Sequence, residues 1–340
     1  MTRAPGRKPF VIAEAGNNHN GDLKTALGLV DLAKRADADS VKFQIINPEG
    51  LYLPAFYEGG GYRANPVIEA RRRTALCDDD YGRIAEHCKA RGMDWSASVF
   101  DEESLALLLR LRPSYVKIAS CDLNNIMFLK KAAQRAGAEG VRMVLSTGMS
   151  TLGEIERSVA ALAKEGFSDL VLLHCVSVYP APLVRMNLGF IDVLKKTFAL
   201  PVGLSDHTQD SLASVMALAK GAEYFEKHVT LSRDQEGFDH AHSLEEPAFA
   251  RYVKDLRESF EAVSGGGEKL SEEELAVRRR ARRSLYAARR LERGEAVREE
   301  DVLVVRPEAA MRADEAGSVV GKRCKDAIMQ YQPFTPDLLE

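Results

Sequence analysis

Pro201-Val-Gly-Leu-Ser-Asp-His-Thr208 is a short apolar run, carried by Val202 and Leu204, that stops abruptly in four polar residues. Polar groups at the C-terminal tip of a buried parallel strand are where α/β enzymes place their chemistry. The pattern recurs about twenty residues later in Tyr224-Phe-Glu-Lys-His-Val-Thr230, which carries Glu226 and His228. Neighbouring parallel strands lie about 4.8 Å apart, so His207 and His228 at matching heights are placed to share one divalent cation.

Working outward from this pair, short apolar runs alternate with amphipathic helical segments as far as residue 264. The runs are Phe10–Ala15, Ser40–Ile45, Asp94–Val99, Tyr115–Ala119, Met143–Ser146, Leu170–Cys175, Pro201–Leu204 and Tyr224–Val229. Eight βα units over about 260 residues predict a closed (β/α)₈ TIM barrel rather than a doubly wound sheet. The unit after Pro182–Arg185 has the weakest helical pattern. Between Asn47 and Arg73 the chain is rich in Gly, Tyr and Pro without clear periodicity, which reads as a long loop covering the active face. After Ser264-Gly-Gly-Gly267 the character changes. The expected organisation is a barrel over 1–264, a charged linker over 265–283, and a small β-rich module over 284–340 with strand-like runs at Leu285, Leu303 and Val319-Val320.

Composition bounds the class. The chain is 45% apolar and 29% charged, and no apolar run approaches the ~20 residues a membrane span needs. Met1–Pro9 is basic and lacks an apolar core, so no signal peptide is expected. A net charge of −3 gives no reason to expect nucleic acid. The basic run Arg278–Arg283 reads as a solvated helix face. Five scattered cysteines without a CxxC pair fit a reducing cytoplasm, with Cys121 and Cys175 expected as buried structural thiols.

The strand tips carry the chemistry. In order they hold Glu14, Lys42 and Gln44, Ser98, Lys117 and Ser120, Ser146 and Thr147, His174 and Ser177, Ser205 and His207, then Glu226 and His228. Two buried ammonium groups repel each other unless an anion lies between them. Lys42, Lys117 and a ring of serines therefore predict a small anionic ligand carrying phosphate. His207 and His228 with oxygen donors suit Mn²⁺, Zn²⁺, Co²⁺ or Mg²⁺, acting as a Lewis acid on a carbonyl. Among the remaining histidines, His19 is expected to order its loop, His87 to be bland, and His240 and His242 to be structural or substrate-facing.

Seven ordered motifs extend this reading. They are Ile12-Ala-Glu-Ala-Gly-Asn-Asn-His-Asn-Gly21, Val41-Lys-Phe-Gln44, Tyr115-Val-Lys-Ile-Ala-Ser120, Leu145-Ser-Thr-Gly-Met149, His174-Cys-Val-Ser-Val-Tyr-Pro-Ala-Pro182, Gly203-Leu-Ser-Asp-His-Thr208 and Glu226-Lys-His228. Together they resemble the sialic acid synthase (N-acetylneuraminate synthase) family. The C-terminal module resembles that family's antifreeze-like SAF domain through Arg283-Ser-Leu-Tyr286, Gly294, Asp301 and Val305-Arg-Pro307. The resemblance implies condensation of phosphoenolpyruvate with the open-chain aldehyde of an N-acyl mannosamine-type sugar. The products would be a nine-carbon 2-keto-3-deoxy acid and phosphate, with C–O cleavage of the phosphoenolpyruvate.

By motif position the resemblance assigns phosphoenolpyruvate to Lys42, Ser98, Lys117, Ser120, Ser146, Ser177 and Ser205. It assigns the sugar to Gln44, Asn65, Tyr179 and Asp239, and the metal to His207 and His228. Mn²⁺ is the expected ion, Mg²⁺ or Co²⁺ the alternatives. Glu14 and Asp122 would be carboxylates near the reacting carbons, with His207 beside them. It further implies a homodimer with swapped SAF domains, in which Arg306 reaches the partner's active site.

The chain departs from the family pattern at Ala97-Ser-Val-Phe100, at Asp122, where a glutamate is common, at Ser177, where some members carry asparagine, and at Glu308-Ala-Ala310. These changes bear on the acceptor sugar, so a legionaminate or pseudaminate synthase is the alternative within the family. Two readings outside it are a Schiff-base pyruvate aldolase using Lys117 and a carbohydrate-binding module built on the SAF domain.

Overall fold

The computed structural model of the chain describes residues 8–264 and 270–340. The expectation about Met1–Pro9 and the glycine run after Ser264 fall largely outside the described residues. The chain divides into two compact units, one ending at Gly266 and one beginning at Gly267.

The first unit opens with β1 (Phe10–Gly16), α1 (Leu23–Arg35) and β2 (Ser40–Ile45). The segment read as an irregular loop is ordered instead into α2 (Pro48–Leu51), a hairpin of β3 (Ala55–Glu58) and β4 (Gly61–Ala64), and α3 (Pro66–Arg73). The reason lies in two glycines. Gly59 and Gly60 have φ of 60° and 83°, the left-handed pair a two-residue hairpin turn requires, and Tyr57 consequently pairs with Tyr62. Asn65 then caps α3, with proline at the first helical position.

Helix α4 (Asp78–Ala90) leads to a regular alternation: β5 (Asp94–Val99), α5 (Glu102–Arg110), β6 (Tyr115–Ile118), α6 (Ile126–Ala138), β7 (Arg142–Ser146) and α7 (Leu152–Lys164). It continues through β8 (Leu170–Cys175), α8 (Phe190–Phe198), β9 (Val202–Asp206), α9 (Leu212–Ala219), β10 (Tyr224–His228) and α10 (Glu246–Ser264). The unit with the weakest pattern does form its helix, α8. Strands β1, β2 and β5–β10 close into a parallel barrel in which β10 returns to pair with β1.

Strand periodicity sorts the side chains. Val41, Phe43, Ala97, Leu145 and Leu204 belong to the core shared with the outer helices. Ile12, Tyr115, Val144, Val171, Leu173 and Tyr224 form a separate cluster, the apolar filling of the barrel interior. Above that filling the same strands turn polar.

The second unit contains α11 (Glu272–Ala281) and an antiparallel pair, β11 (Ser284–Ala287) with β12 (Val302–Val305). Arg278 of α11 pairs with Glu308 at 2.9 Å. Val319 is not in a strand. It follows a 3₁₀ turn over Ala313–Ser318 and is buried in this unit's own core with Leu285, Ile328 and Phe334.

Candidate active site

The polar strand tips line one cavity of about 280 Å³ at the C-terminal mouth of the barrel. Glu14, Lys42, Gln44, Ser98, Lys117, Ser120, Ser146, Ser177, Tyr179, Ser205, His207 and His228 all face it, so each of the eight barrel strands or the turn that follows it contributes a residue expected from sequence.

Four buried charges form its floor. Lys42 Nζ lies 2.5 Å from Glu14 Oε2 and 3.5 Å from Glu226 Oε2, and Lys117 Nζ is 3.9 Å from that same Glu226 oxygen. Glu226 therefore supplies the anion between the two lysines that the sequence reading assigned to a ligand. Burial alone would raise the Glu226 carboxyl, but Lys117 and Lys42 outweigh it and hold it low. Burial raises Glu14, and the Glu226 charge adds to the rise against the pull of Lys42. Burial lowers Lys117. Lys42 ends above its ordinary value because Glu14 and Glu226 overcome its desolvation.

Glu14 is held in place by its neighbours. Gln44 Nε2 donates to Glu14 Oε1 at 2.8 Å, and Asn17 Nδ2 donates to Gln44 Oε1 at 2.7 Å. A Cβ on Gly16 would lie 3.2 Å from Asp239 Oδ2, 3.3 Å from Gln44 Nε2 and 3.4 Å from Glu14 Oε1. The bare glycine leaves room for these three side chains around it.

Opposite them is a hydroxyl-rich wall. Lys42 Nζ donates to Ser98 Oγ at 2.9 Å, and Gly148 N donates to Ser120 Oγ at 3.0 Å. Ser205 donates to Glu226 Oε1 at 2.8 Å. Ser146 Oγ is buried with no partner, the state of a hydroxyl that awaits a ligand. Cys175 and Cys121 also line the cavity. Cys175 is buried, whereas Cys121 is exposed, so the expectation that both are buried structural thiols is corrected. All five cysteines are free.

His207 and His228 point to one place, their ring centroids 5.7 Å apart. His207 Nδ1 donates to the Val176 carbonyl at 2.8 Å, which fixes the tautomer and leaves Nε2 as a lone-pair donor. His228 Nδ1 is buried without a partner. His207 Nε2 has only the Ser205 hydroxyl near it, at 3.4 Å, so the two rings suit an imidazole-bound divalent cation. No group of three or more His, Cys, Asp or Glu ligands occurs among the described residues, so the other ligands of such an ion would be substrate oxygens and water. The Tyr179 ring lies tilted against His207 and His242, with centroids 4.2 Å and 4.8 Å away, which brings a third imidazole to the rim.

Other expected residues lie elsewhere. Asn65 accepts from Val67 N at 3.1 Å and donates to the Leu53 carbonyl at 2.9 Å, so its side chain is consumed by capping and does not line the cavity. Asp122 accepts from Asn125 at 3.2 Å, and its neighbour Cys121 takes the place on the cavity wall. His174 turns outward to donate to the Met186 carbonyl at 2.6 Å. Arg306 follows β12 in the second unit. His19 accepts from Gly21 N at 3.0 Å and does order its loop. His240 bonds Thr230 at 2.7 Å and is structural, and His87 pairs with Asp31 at 2.9 Å.

Comparison with known proteins shows the family. Residues 29–269 match the NeuB family and residues 282–340 match the SAF domain. The chain belongs to the NeuB family. This NeuB-family chain is 33% identical to the N,N'-diacetyllegionaminic acid synthase of Legionella pneumophila, covering 92% of this chain and 90% of the relative. It is 34% identical to a pseudaminic acid synthase of Campylobacter jejuni, covering 95% and 94%. The crystal structure of an N-acetylneuraminic acid (sialic acid) synthetase from Leptospira borgpetersenii in complex with citrate superposes with a TM-score of 0.69 at 32% identity, covering 79% of this NeuB-family chain and 90% of that one.

Proposed function

We propose that this chain is a nonulosonic acid synthase. It condenses phosphoenolpyruvate with the aldehyde of an N-acyl mannosamine-type sugar to give a nine-carbon 2-keto-3-deoxy acid and phosphate. The product is N-acetylneuraminate or, with a differently substituted acceptor, legionaminate or pseudaminate. One observation carries the reading: two lysines, two carboxylates, five serine hydroxyls and two imidazoles converge on a single barrel mouth.

Lys42 and Lys117 bind the carboxylate and phosphate of phosphoenolpyruvate, with Ser98, Ser120, Ser146 and Ser177 donating to its oxygens and Ser205 supporting Glu226. Carbon 3 attacks the sugar aldehyde carbon, water adds at carbon 2, and the bond between carbon 2 and the phosphate-bridging oxygen breaks. Glu14, oriented by Gln44 and Lys42 and raised by burial, accepts the proton of the attacking water. Gln44, Tyr179 and Asp239 hold the sugar. His207 and His228 hold a divalent cation, Mn²⁺ in first place, which when bound polarises the aldehyde carbonyl.

The test is incubation with phosphoenolpyruvate and a panel of N-acyl hexosamines, with phosphate release measured and the keto acid identified by mass. EDTA should abolish turnover and Mn²⁺ restore it; full turnover in EDTA overturns the metal reading. The lowered ammonium of buried Lys117 favours a second reading, a Schiff-base aldolase. Borohydride trapping of a pyruvate adduct on Lys117 would establish that reading in place of the first.

A further inference from the structure

Lys227 is a buried cation that this chemistry leaves unused. It points away from the cavity, on the face of β10 opposite Glu226 and His228. There it forms an ion pair with Asp206 Oδ2 at 3.2 Å, and its ammonium lies 5.3 Å from the centre of the Tyr252 ring. It also donates to the carbonyl of Thr208 and, at 3.2 Å, to that of Asp210. Asp206 is held as firmly. Its Oδ1 accepts from the Thr208 amide at 2.8 Å and hydroxyl at 2.7 Å, and its Oδ2 accepts from Ser214 Oγ at 2.8 Å. Ser214 in turn lies 2.7 Å from the Tyr252 hydroxyl, which ties the network to α9 and α10.

A buried ion pair is a poor source of stability, because desolvation offsets most of the attraction. The position of this one is informative. Asp206 and Lys227 are register partners at the last rung of the β9–β10 ladder. The next residues along the two strands are His207 and His228. His207 is thus flanked by Asp206 and Thr208, both held by this network, and His228 adjoins Lys227 itself.

We infer that the Asp206–Lys227 pair is a positioning device that sets where His207 and His228 present their imidazoles to the cavity. This inference rests on the metal-binding reading of those two histidines. Lys227 staples the turn after β9 to β10, so the two ligand-bearing backbones move as one piece. Groups that orient metal ligands from behind are commonly worth 10- to 100-fold in metal affinity.

A single neutralisation would leave the other charge alone in the core, so the informative variant of the full chain is Asp206→Asn with Lys227→Met. Mn²⁺ affinity is read by electron paramagnetic resonance of the free ion, beside thermal unfolding and phosphoenolpyruvate binding without metal. The expected result is Mn²⁺ binding weakened about 10- to 100-fold, with phosphoenolpyruvate binding unchanged. Unchanged Mn²⁺ affinity in a variant that merely melts earlier overturns the positioning role. Should the double variant fail to fold, Ser214→Ala removes one hydrogen bond to Asp206 and is expected to weaken Mn²⁺ about three- to tenfold; wild-type affinity there overturns the inference. A wild-type chain that binds Mn²⁺ no better than His228→Ala overturns the metal reading and this inference together.

Discussion

The Glu226 carboxylate lies 3.5 Å from the Lys42 ammonium, with both side chains at most 6% exposed. Its second cation, Lys117, is 3.9 Å from the same oxygen. Lys42 has Glu14 as another partner, but Lys117 has only Glu226 among the carboxylates paired with it in the described residues. Removing the Glu226 charge strands Lys117 in a buried site. Glu226→Gln should therefore cost about 3–5 kcal/mol of stability, measured by urea unfolding. Glu14→Gln leaves Lys42 with Glu226 and should cost much less, yet it should slow phosphate release by about 10²- to 10⁴-fold. Equal destabilisation in the two variants would refute this division of labour.

Gly148 is where the hydroxyl wall closes. A Cβ added there would lie 2.4 Å from Ser177 Oγ, 2.8 Å from Ser120 Oγ and 3.1 Å from Cys175 Sγ. Gly148→Ala must push at least two of these groups into the space assigned to phosphoenolpyruvate. Side-chain ends can give way, so folding should survive. The expected result is a KM for phosphoenolpyruvate raised about tenfold or more, equivalent to one lost charge-assisted hydrogen bond, with the sugar KM little changed. An unaltered phosphoenolpyruvate KM would remove Ser120 and Ser177 from that subsite.

The barrel strands are legible because parallel strands buried on both faces read as apolar runs. The end of β9 is less so: Ser205 and Asp206 are strand residues although polar, since one faces the cavity and the other a buried lysine. The role of Glu226 is hidden for a related reason. The charge between Lys42 and Lys117 is an inference from repulsion, and repulsion does not say whether protein or ligand supplies the anion. The available signal is the two-residue spacing from Glu226 to His228, which places both on one face. In the cover after β2, Gly59-Gly60 between aromatic residues marks the hairpin, and Asn65-Pro66 marks a helix start. The capping pattern assigns Asn65 to structure and the motif match assigns it to the sugar; its hydrogen bonds in the structure are those of the cap.

His19 sets an acid limit on stability. Its ring is buried, and that burial brings it from 6.5 down to about 4, against the opposing pull of Asp22 and Asp80. Above the unfolded value both states are neutral at this site. As pH falls from there towards the folded value, only the unfolded chain takes up the proton, so stability is lost across that window and the loss ends below it. One proton corresponds to about 1.4 kcal/mol per pH unit, or about 2 kcal/mol between about pH 7 and about pH 5. His19→Asn keeps an acceptor for the Gly21 amide and should lose that much less over the interval, read from urea midpoints at the two pH values. Parallel losses would mean that His19 is protonated in the folded chain.

Arg306 provides the test of subunit exchange. It lies in the second unit, directly after β12 and before Pro307, whose carbonyl accepts from Tyr286 at 2.8 Å. The resemblance assigns this arginine to the active site of a partner in a swapped homodimer. On that assignment Glu14→Gln would disable the barrel of its own chain, and Arg306→Ala would disable the site that the arginine serves. If that site is the partner's, a mixed dimer contains one intact site, formed by the barrel of the Arg306→Ala chain and the second unit of the Glu14→Gln chain. Random exchange of equal amounts makes about half the dimers mixed, each with one working site of two, so about one quarter of wild-type phosphate release should return. If Arg306 serves its own barrel, no combination contains an intact site, and the mixture should stay as inactive as its components.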